Sequence, residues 1–181
     1  MFKFFPKMSD KVIWVDEKDN VLGEIPRAQA HSDGLLHRIA VVYVTSSDGK
    51  ILVQERMDTG FLDHSSAGHV NPGESYLEAA KRELCEELGI CNVELKEIAE
   101  SVSDEKHPAG RRIWHKYKIY EYQGEPVKLC KEEVKGVFWA DPLEIYDKMK
   151  SDPGDKVYTG GFKDSLGVFL KAKKLILPMQ T

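Results

Sequence analysis

Three glutamates near the middle of the chain have spacings that could hold a divalent metal ion. Glu83, Glu86 and Glu87 are separated by three and four positions, so a helix would bring their side chains within about one turn of each other. Each like-charge pair of this kind costs roughly 0.2–0.5 kcal/mol unless a cation intervenes. Carboxylate oxygens are hard ligands that suit Mg²⁺ or Mn²⁺, and both ions commonly bridge to substrate phosphates. The cluster therefore predicts Mg²⁺ or Mn²⁺ as cofactor and a phosphorylated small molecule as substrate.

Hydrolysis of a phosphoanhydride bond is the chemistry that this cluster would support. The reaction builds negative charge on phosphate oxygens, and a divalent ion neutralises that charge while it lowers the pKa of an attacking water. A glutamate-rich helix face is more often plain solvated surface, so the acids alone would indicate little. The residues around the cluster decide between the two interpretations.

The segment from Gly68 to Ile90 resembles the Nudix box, conventionally written G-x5-E-x7-R-E-U-x-E-E-x-G-U, where U is aliphatic. Its fixed positions are all matched, by Gly68, Glu74, Arg82, Glu83, Leu84, Glu86, Glu87, Gly89 and Ile90. At average residue frequencies, a chance match is on the order of one in a million or rarer. The resemblance implies a Nudix hydrolase of the α/β class, folded as an α/β/α sandwich with a mixed sheet.

The resemblance also implies roles for individual residues. The metal ligands would be Gly68, through its carbonyl, with Glu83, Glu86 and Glu87, and the catalytic residues would be Arg82, Glu83, Glu86 and Glu87. Glu74 would brace the box through an ion pair with Arg82, and Gly89 would be structural. In this family a further acid outside the box often contributes. Glu132 and Glu133 are the candidates, and a solvated strand edge is the alternative interpretation of both.

Substrate recognition would come from outside the box, where basic side chains and aromatic rings are expected to clamp a nucleotide-like diphosphate. The predicted substrate-binding residues are Arg38, Arg56, Arg112 and His69, with Arg111, Trp114 and His115 as further candidates. Arg111 and Arg112 are also typical of a plain hairpin turn, and Trp114 of a core position. The leaving group stays open. The substrate would be a nucleoside diphosphate linked to another moiety, or a nucleoside di- or triphosphate.

A second resemblance, over roughly residues 12–150, is to the Nudix subgroup related to isopentenyl diphosphate isomerase. In that isomerase, early histidines and the histidine of a C-G-H motif gather a metal, and His31, His37 and His69 lie in comparable places. Structural or substrate-facing roles are the favoured interpretation of these histidines here. Ala67 stands where the isomerase has its catalytic cysteine, and the intact glutamate array argues for hydrolysis. The alternatives to a hydrolase are a non-catalytic module that senses a nucleotide and, less favoured, an isomerase-like enzyme.

The composition disfavours several other classes of protein. The 181 residues carry a net charge of −4 with acids and bases interspersed, which argues against duplex nucleic acid as a partner. No apolar run approaches the length of a bilayer span, so no membrane partner is expected. Cys85, Cys91 and Cys130 are odd in number and lack CxxC spacing, which argues against a disulfide framework or a zinc knuckle and predicts a reducing, cytoplasmic location. Packing is the expected role of Cys85 and Cys91. A homodimer is expected from base rates.

The box must be positioned by a mixed series of strands and helices, expected to form one domain over residues 1–181. The pattern predicts a flexible arm over 1–10, an N-terminal β-hairpin over 11–30, a core over 35–150 and a C-terminal helix over 160–176. The clearest element is a helix from about Tyr76 to Leu88, with a capping box at Ser75 and Glu78 and a terminating Gly89. Alternation of strands and helices is typical of an α/β sandwich.

Overall fold

The computed structural model describes residues 10–106, 112–151 and 157–176, which contain nine strands and four helices. The strands are β1 (Lys11–Val15), β2 (Val21–Pro26), β3 (His37–Thr45), β4 (Ile51–Arg56), β5 (Leu62–Asp63), β6 (Ser66–His69), β7 (Lys96–Lys106), β8 (Arg112–Gln123) and β9 (Val134–Ala140). The helices are α1 (Arg27–Asp33), α2 (Tyr76–Leu88), α3 (Pro142–Lys150) and α4 (Gly160–Ala172). Most of the predicted flexible arm, residues 1–9, lies outside the described residues. None of the described helices is long and apolar enough to cross a lipid bilayer.

The sheet is built around β3, which contains the β-branched run IAVVYV. This strand pairs antiparallel with β1, β4 and β6 and parallel with β8, so the sheet is mixed. The other strands extend it, with β2 on β1, β5 and β9 on β4, and β7 on β8. Because β3 is covered on both faces, its residues from Ile39 to Val44 are all apolar and buried.

Successive residues of β3 point to opposite sides of the sheet, and helices cover each side. On one side the buried core joins β3 to α2, through Ala40, Val42, Val44, Leu84 and Leu88. On the other side it joins β3 to α3 and α4, through Ile39, Val41, Tyr43, Ile145, Phe162, Leu166 and Phe169. Burying one large apolar side chain stabilises a fold by roughly 1.5–3 kcal/mol, so both cores contribute substantially. The predicted α/β/α sandwich with a mixed sheet and an N-terminal hairpin is confirmed.

Helix α2 carries the predicted glutamates, and local contacts fix both of its ends. The Glu78 backbone N–H donates to Ser75 Oγ at 3.2 Å, and the Ser75 backbone N–H donates to Glu78 Oε2 at 2.8 Å. These bonds form the capping box that the sequence predicts. At the other end Gly89 has a φ of 69°, and a Cβ there would collide with the backbone of Lys128. The helix therefore begins and ends where the sequence placed it.

Helix α1 occupies residues for which the sequence analysis predicted the end of a hairpin. The hairpin of β1 and β2 ends at Pro26, and the chain then forms a seven-residue helix that ends at Gly34, with a φ of 64°. A Cβ on Gly34 would lie 2.8 Å from the Cβ of Arg112, so the glycine lets α1 approach β8 closely. A helix of seven residues is too short to show a clear apolar period, which explains why the sequence did not reveal it.

Cys85 and Cys91 form a disulfide bond, and the prediction of unlinked cysteines is wrong for this pair. Cys85 lies in the last turn of α2. The left-handed residue Gly89 turns the chain back, so that the Cα of Cys91 returns to 4.6 Å from that of Cys85. Among the described residues Cys130 is the free cysteine. The expected cytoplasmic location rested on the absence of a disulfide, and it stays a prediction without that support.

Candidate active site

Arg82 is the centre of a charged network that orders α2 and the loop before it. Its buried guanidinium donates to the two carboxylate oxygens of Glu74, at 2.7 and 3.0 Å. It also donates to Glu83 Oε1 at 2.6 Å, to Glu86 Oε2 at 3.2 Å and to the His69 carbonyl at 3.0 Å. A guanidinium has five N–H donors, so these contacts match its full capacity. These contacts are those expected of a residue that positions the box, and a catalytic role of Arg82 stays a prediction.

Glu74 connects Arg82 to the turn that precedes α2. The Asn71 backbone N–H donates to Glu74 Oε2 at 3.0 Å, while Glu74 Oε1 holds the Arg82 Nε. Burial pushes the pKa of Glu74 upward, but hydrogen bonds from Arg82 and Asn71 outweigh it and leave the pKa lowered. The carboxylate is thus ionised at neutral pH. The structure contains the ion pair that the resemblance implies for this residue.

Gly68 leaves the space in which the Glu83 carboxylate lies. It pairs with Ala40 of β3, so a side chain at this position would point to the α2 side of the sheet. A Cβ on Gly68 would overlap with Cγ, Cδ and Oε1 of Glu83. Because only a glycine fits, the Glu83 carboxylate rests against the main chain of β6. The structure thereby brings together two residues that the sequence predicts as metal ligands.

The three box glutamates are crowded and largely removed from water. Burial raises the pKa of Glu83 to about 7, even though Arg82 is bonded to it. Burial also raises the pKa of Glu86, and it raises that of the buried Glu87 well above its ordinary range. Part of the cluster would therefore hold protons at neutral pH unless a positive charge joined it.

Glu87 shows most directly that the cluster fits a metal ion. Its Oε2 is buried and has no hydrogen-bond partner within the described ranges. A buried polar atom without a partner costs roughly 1–3 kcal/mol, and buried charges are normally paired or bound to a metal. Carboxylates are also the ligand type that Mg²⁺ and Mn²⁺ prefer. The donor set of this site therefore suits a divalent cation.

Glu133 is a fourth acid that acts on the cluster from a distant part of the chain. Its charge adds to burial in raising the pKa values of all three box glutamates. It lies just before β9, and its carbonyl accepts a hydrogen bond from the Met57 backbone N–H at 2.8 Å. Glu132 is exposed and instead accepts from Cys130 Sγ at 3.3 Å. Of the two acids suggested outside the box, Glu133 is the one that influences the glutamates.

Arg38 lies on the glutamate side of the sheet but is engaged elsewhere. It donates to Asp19 Oδ1 and to the Asp19 carbonyl, both at 2.8 Å. Its guanidinium also lies 5.1 Å from the ring centroid of Tyr76, the first residue of α2. The residue thus joins the β1–β2 turn to the start of the box helix. Its contact with substrate stays a prediction.

Arg56 and Arg112 also form ion pairs of their own. Arg56 is held by two aspartates, one of which is the buried Asp63, at 3.3 Å. Arg112 makes a two-pronged pair with Asp104, at 2.6 and 2.7 Å. No contact of either arginine with the box glutamates occurs within the described part of the chain. Substrate binding by these residues would require the pairs to open, and it stays a prediction. Arg111 lies outside the described residues.

The three histidines grouped by the second resemblance meet a fourth on the other side of the sheet. They are His31, His37, His69 and His115, and one nitrogen of each lies within 4.8 Å of the others. His69 follows Gly68 in β6, so its ring points away from the glutamates. In the sequence, no pattern connects His115 with the other three. The pairing of His37 with His115 across two parallel strands was the missing information, and no local pattern contains it.

Comparison with known proteins identifies the family. A family model described as the NUDIX domain matches residues 35–159, which is more than half of the chain. The chain belongs to the Nudix family. Among its relatives, the Nudix hydrolase YfcD of Escherichia coli (strain K12) is 36% identical over 140 residues, covering 73% of this chain and 76% of that protein. This Nudix chain is an enzyme of the hydrolase family, and family membership supports pyrophosphate hydrolysis in general.

Two further comparisons concern the subgroup and the fold of the Nudix chain. An isopentenyl-diphosphate Delta-isomerase of Serratia proteamaculans (strain 568) is 32% identical over 154 residues, covering 81% of this chain and 84% of that protein. This match agrees with the second resemblance seen in the sequence. The solved structure of DR0079 from Deinococcus radiodurans has a TM-score of 0.71 at 22% identity, covering 87% of this chain and 97% of that chain. The structural likeness supports the fold assigned above.

Proposed function

We propose that this Nudix enzyme uses Mg²⁺ or Mn²⁺ to hydrolyse a phosphoanhydride bond in a nucleotide-like diphosphate. The substrate is a nucleoside diphosphate linked to another moiety, or a nucleoside di- or triphosphate. The observation that carries the proposal is the crowding of Glu83, Glu86 and Glu87, with one buried oxygen of Glu87 left unpaired. A cation that lies between these carboxylates and a phosphate would neutralise the repulsion within the cluster and bind the substrate.

The chain's own residues hold and orient the ligands of this cation. When bound, the ion neutralises charge on the phosphate oxygens and lowers the pKa of an attacking water. Glu83, Glu86 and Glu87 hold the ion, and Gly68 leaves the room that Glu83 occupies. Arg82 fixes the first two glutamates and has no donor left over for a phosphate. The pre-set position of these groups is what accelerates the reaction.

An isomerase acting on isopentenyl diphosphate is the second candidate, because one relative carries that name. The resemblance requires an acid at position 67, which would donate a proton to an alkene. Ala67 lies two residues before His69 in β6 and therefore faces the same side of the sheet, where it pairs with Val41. A methyl group has no proton to donate. The residues at this point support hydrolysis over isomerisation.

The decisive experiment is a substrate screen on the purified chain. It uses nucleoside diphosphate derivatives, dinucleoside polyphosphates and nucleoside triphosphates, each with Mg²⁺, with Mn²⁺ and with a chelator. Release of phosphate or of a nucleoside monophosphate is measured, and isopentenyl diphosphate is included to detect isomerisation. The expected result is divalent-ion-dependent release from at least one member of the nucleotide panel. Glu86→Gln should abolish it, whereas Glu94→Gln, an exposed glutamate in a surface ion pair, should not.

Two other results would each replace the proposal. If several nucleotides bind with micromolar affinity but none turns over with any divalent ion, the chain is a nucleotide-sensing module. If isopentenyl diphosphate is converted and no nucleotide is hydrolysed, the isomerase interpretation is correct. Activity that persists undiminished in the chelator and in Glu86→Gln would show that the glutamates have another purpose.

A further inference from the structure

Two adjacent serines are buried where β6 begins, and their hydroxyl groups have different surroundings. Ser65 and Ser66 both have no solvent exposure. The Ser65 hydroxyl accepts the Val44 backbone N–H at 2.8 Å and donates to the Leu52 carbonyl at 2.6 Å. The Ser66 hydroxyl has no hydrogen-bond partner among the residues that the structure describes. A buried hydroxyl without a partner is costly, so a polar side chain at position 66 indicates a role other than packing.

Strand register directs Ser66 towards the box helix. Ser66 pairs with Val42 of β3, and Gly68 pairs with Ala40. Val42 and Ala40 belong to the core under α2, and residues directly opposite each other in a strand pair share a face. Ser66 and Gly68 therefore both face α2, whereas Ala67 between them faces the opposite side.

The spacing along α2 matches the spacing along β6. Glu83 lies against Gly68, where a Cβ would overlap its carboxylate. Glu87 follows Glu83 by four positions, which is about 6 Å along a helix axis. Ser66 precedes Gly68 by two positions, which is about 6.6 Å along a strand. Because the two steps are nearly equal, the next acid of α2 lies over the next inward-facing residue of β6.

Each of these two facing groups lacks a partner for one polar atom. Glu87 Oε2 is buried and, like Ser66 Oγ, has no hydrogen-bond partner within the described ranges. Burial raises the pKa of Glu87 well above its ordinary range, and the nearby Ser66 hydroxyl acts in the opposite direction. An ionised carboxylate only accepts hydrogen bonds, whereas a hydroxyl can donate one. A bond between the ionised Glu87 and Ser66 therefore runs from the hydroxyl to the carboxylate.

We propose that Ser66 is a positioning residue of the divalent-ion site, whose hydroxyl donates to Glu87 and aims the remaining lone pairs of that carboxylate at Mg²⁺ or Mn²⁺. This role rests on the proposed binding of the ion by the box glutamates, and it adds a residue from outside the box. Arg82 donates to Glu83 and Glu86, and no contact joins it to Glu87 in the described part of the chain. Ser66 supplies the orienting bond that Glu87 does not receive from Arg82.

A purely steric role for Ser66 leads to a different expectation. Under a steric role, position 66 needs a small side chain only because Glu87 lies over it, and alanine would serve equally well. Under the proposed role the oxygen itself is required. Loss of a group that orients a metal ligand weakens metal affinity by roughly 10–100-fold in proteins. Ser66→Ala separates the two roles because it removes one oxygen and leaves the space unfilled by anything larger.

The test measures Mn²⁺ binding to the purified chain by electron paramagnetic resonance of the free ion, so it needs no substrate. Ser66→Ala should bind Mn²⁺ at least about tenfold more weakly, while the melting temperature of the metal-free protein stays unchanged or rises. Ser65→Ala is the matched control, since it removes the neighbouring buried hydroxyl. It should lower the melting temperature, because two main-chain groups lose their partner, and should keep the Mn²⁺ affinity within about twofold of the parent value.

A double-mutant cycle shows whether Ser66 acts through Glu87. In a Glu87→Gln background, Ser66→Ala should change the Mn²⁺ affinity by less than about twofold, because the carboxylate that the hydroxyl serves is gone. An undiminished effect in that background would overturn the proposal. So would a Ser66→Ala variant with native circular dichroism that binds Mn²⁺ as tightly as the parent chain. If Ser66→Ala does not fold, Ser66→Cys replaces it in the same comparisons, since a thiol is a weaker donor.

The outcomes also separate this role of Ser66 from the proposed function. If Glu86→Gln weakens Mn²⁺ binding and Ser66→Ala does not, the role of Ser66 alone is wrong. If the parent chain binds no divalent ion, both proposals are wrong. If Ser66→Ala weakens binding but no nucleotide in the screen is hydrolysed, the role of Ser66 is retained and the proposed reaction is wrong.

Discussion

Glu83 is subject to two opposing effects, because burial raises its pKa and the neighbouring Arg82 lowers it. The Arg82 guanidinium is bonded to it, yet the pKa of Glu83 is raised to about 7 because burial outweighs that single cation. The same guanidinium also serves Glu74 and Glu86. One positive charge is thus shared among several acids, and Glu87 receives none of its hydrogen bonds. The deficit of positive charge lies where the proposed cation would bind.

Removing one charge from the cluster should affect rate and stability in opposite ways. Glu86→Gln and Glu87→Gln keep the size of the side chain but lose an anionic ligand. Each should lower kcat/KM at least a hundredfold with any substrate found in the screen, while the melting temperature of the metal-free protein stays unchanged or rises because repulsion is relieved. Steady-state kinetics and thermal melts check both parts. Near-normal rates in both variants would remove the assigned role of these glutamates.

The raised pKa of Glu83 also predicts how the metal-free chain responds to pH. A carboxyl whose pKa rises from 4.5 to about 7 on folding binds its proton more tightly in the folded state. Its contribution to stability is complete below the unfolded pKa and is lost as pH rises through the folded one, a change on the order of 3 kcal/mol at most. The melting temperature of the metal-free chain should therefore decrease as the pH is raised from about 5 to about 8.

Two comparisons test whether Glu83 causes that fall. Glu83→Gln should flatten the profile, because the amide does not titrate. Mg²⁺ should stabilise the parent chain more at the upper end of this range than at the lower end, since the ion binds the ionised carboxylates. A profile in Glu83→Gln as steep as that of the parent chain would assign the effect to other groups.

At the scale of elements, the sequence predicts the helices and strands whose ends are set by residues nearby in the chain. The bounds of α2 follow from Ser75, Glu78 and Gly89, all within one or two residues of the helix ends, and the structure uses each of them. The proximity of His37, His69 and His115 follows instead from the register of β3, β6 and β8, which depends on the whole sheet. Helix α1 lies between these cases, because its only local signal is a proline before it and a glycine after it.

The disulfide at the end of α2 is the element-scale feature with a direct chemical test. A bond that closes a loop of this length should stabilise the fold by about 2 kcal/mol, if the gain comes from restricting the unfolded chain. Thiol titration of the denatured, unreduced protein should find one reactive thiol, that of Cys130. Reduction should expose three and lower the melting temperature. Three reactive thiols without reduction would show that Cys85 and Cys91 are not bonded in solution.

At the scale of the whole molecule, β3 makes the two cores depend on each other. Its alternate residues enter the core under α2 and the core under α3 and α4. Unfolding of the helices on either side would therefore expose one face of β3. Gly68, which lies against Glu83, and His69, which lies beside the other three histidines, are also neighbours in β6 and face opposite sides of the sheet. The two cores and the side chains on the two faces of the sheet therefore depend on the same few strands. This dependence favours the expected single domain.

This linkage predicts that damage to one core will be detected in the other. Leu166 is fully buried in the core of α4, and its replacement by alanine should cost about 2–5 kcal/mol, a fall of roughly 5–15 °C in melting temperature. Trp114 and Trp139 pack against the other core. In Leu166→Ala, tryptophan fluorescence and far-ultraviolet circular dichroism should therefore shift together and keep one common midpoint. If the fluorescence midpoint stayed at its parental value while the dichroism moved, the helices α3 and α4 would unfold as a separate unit.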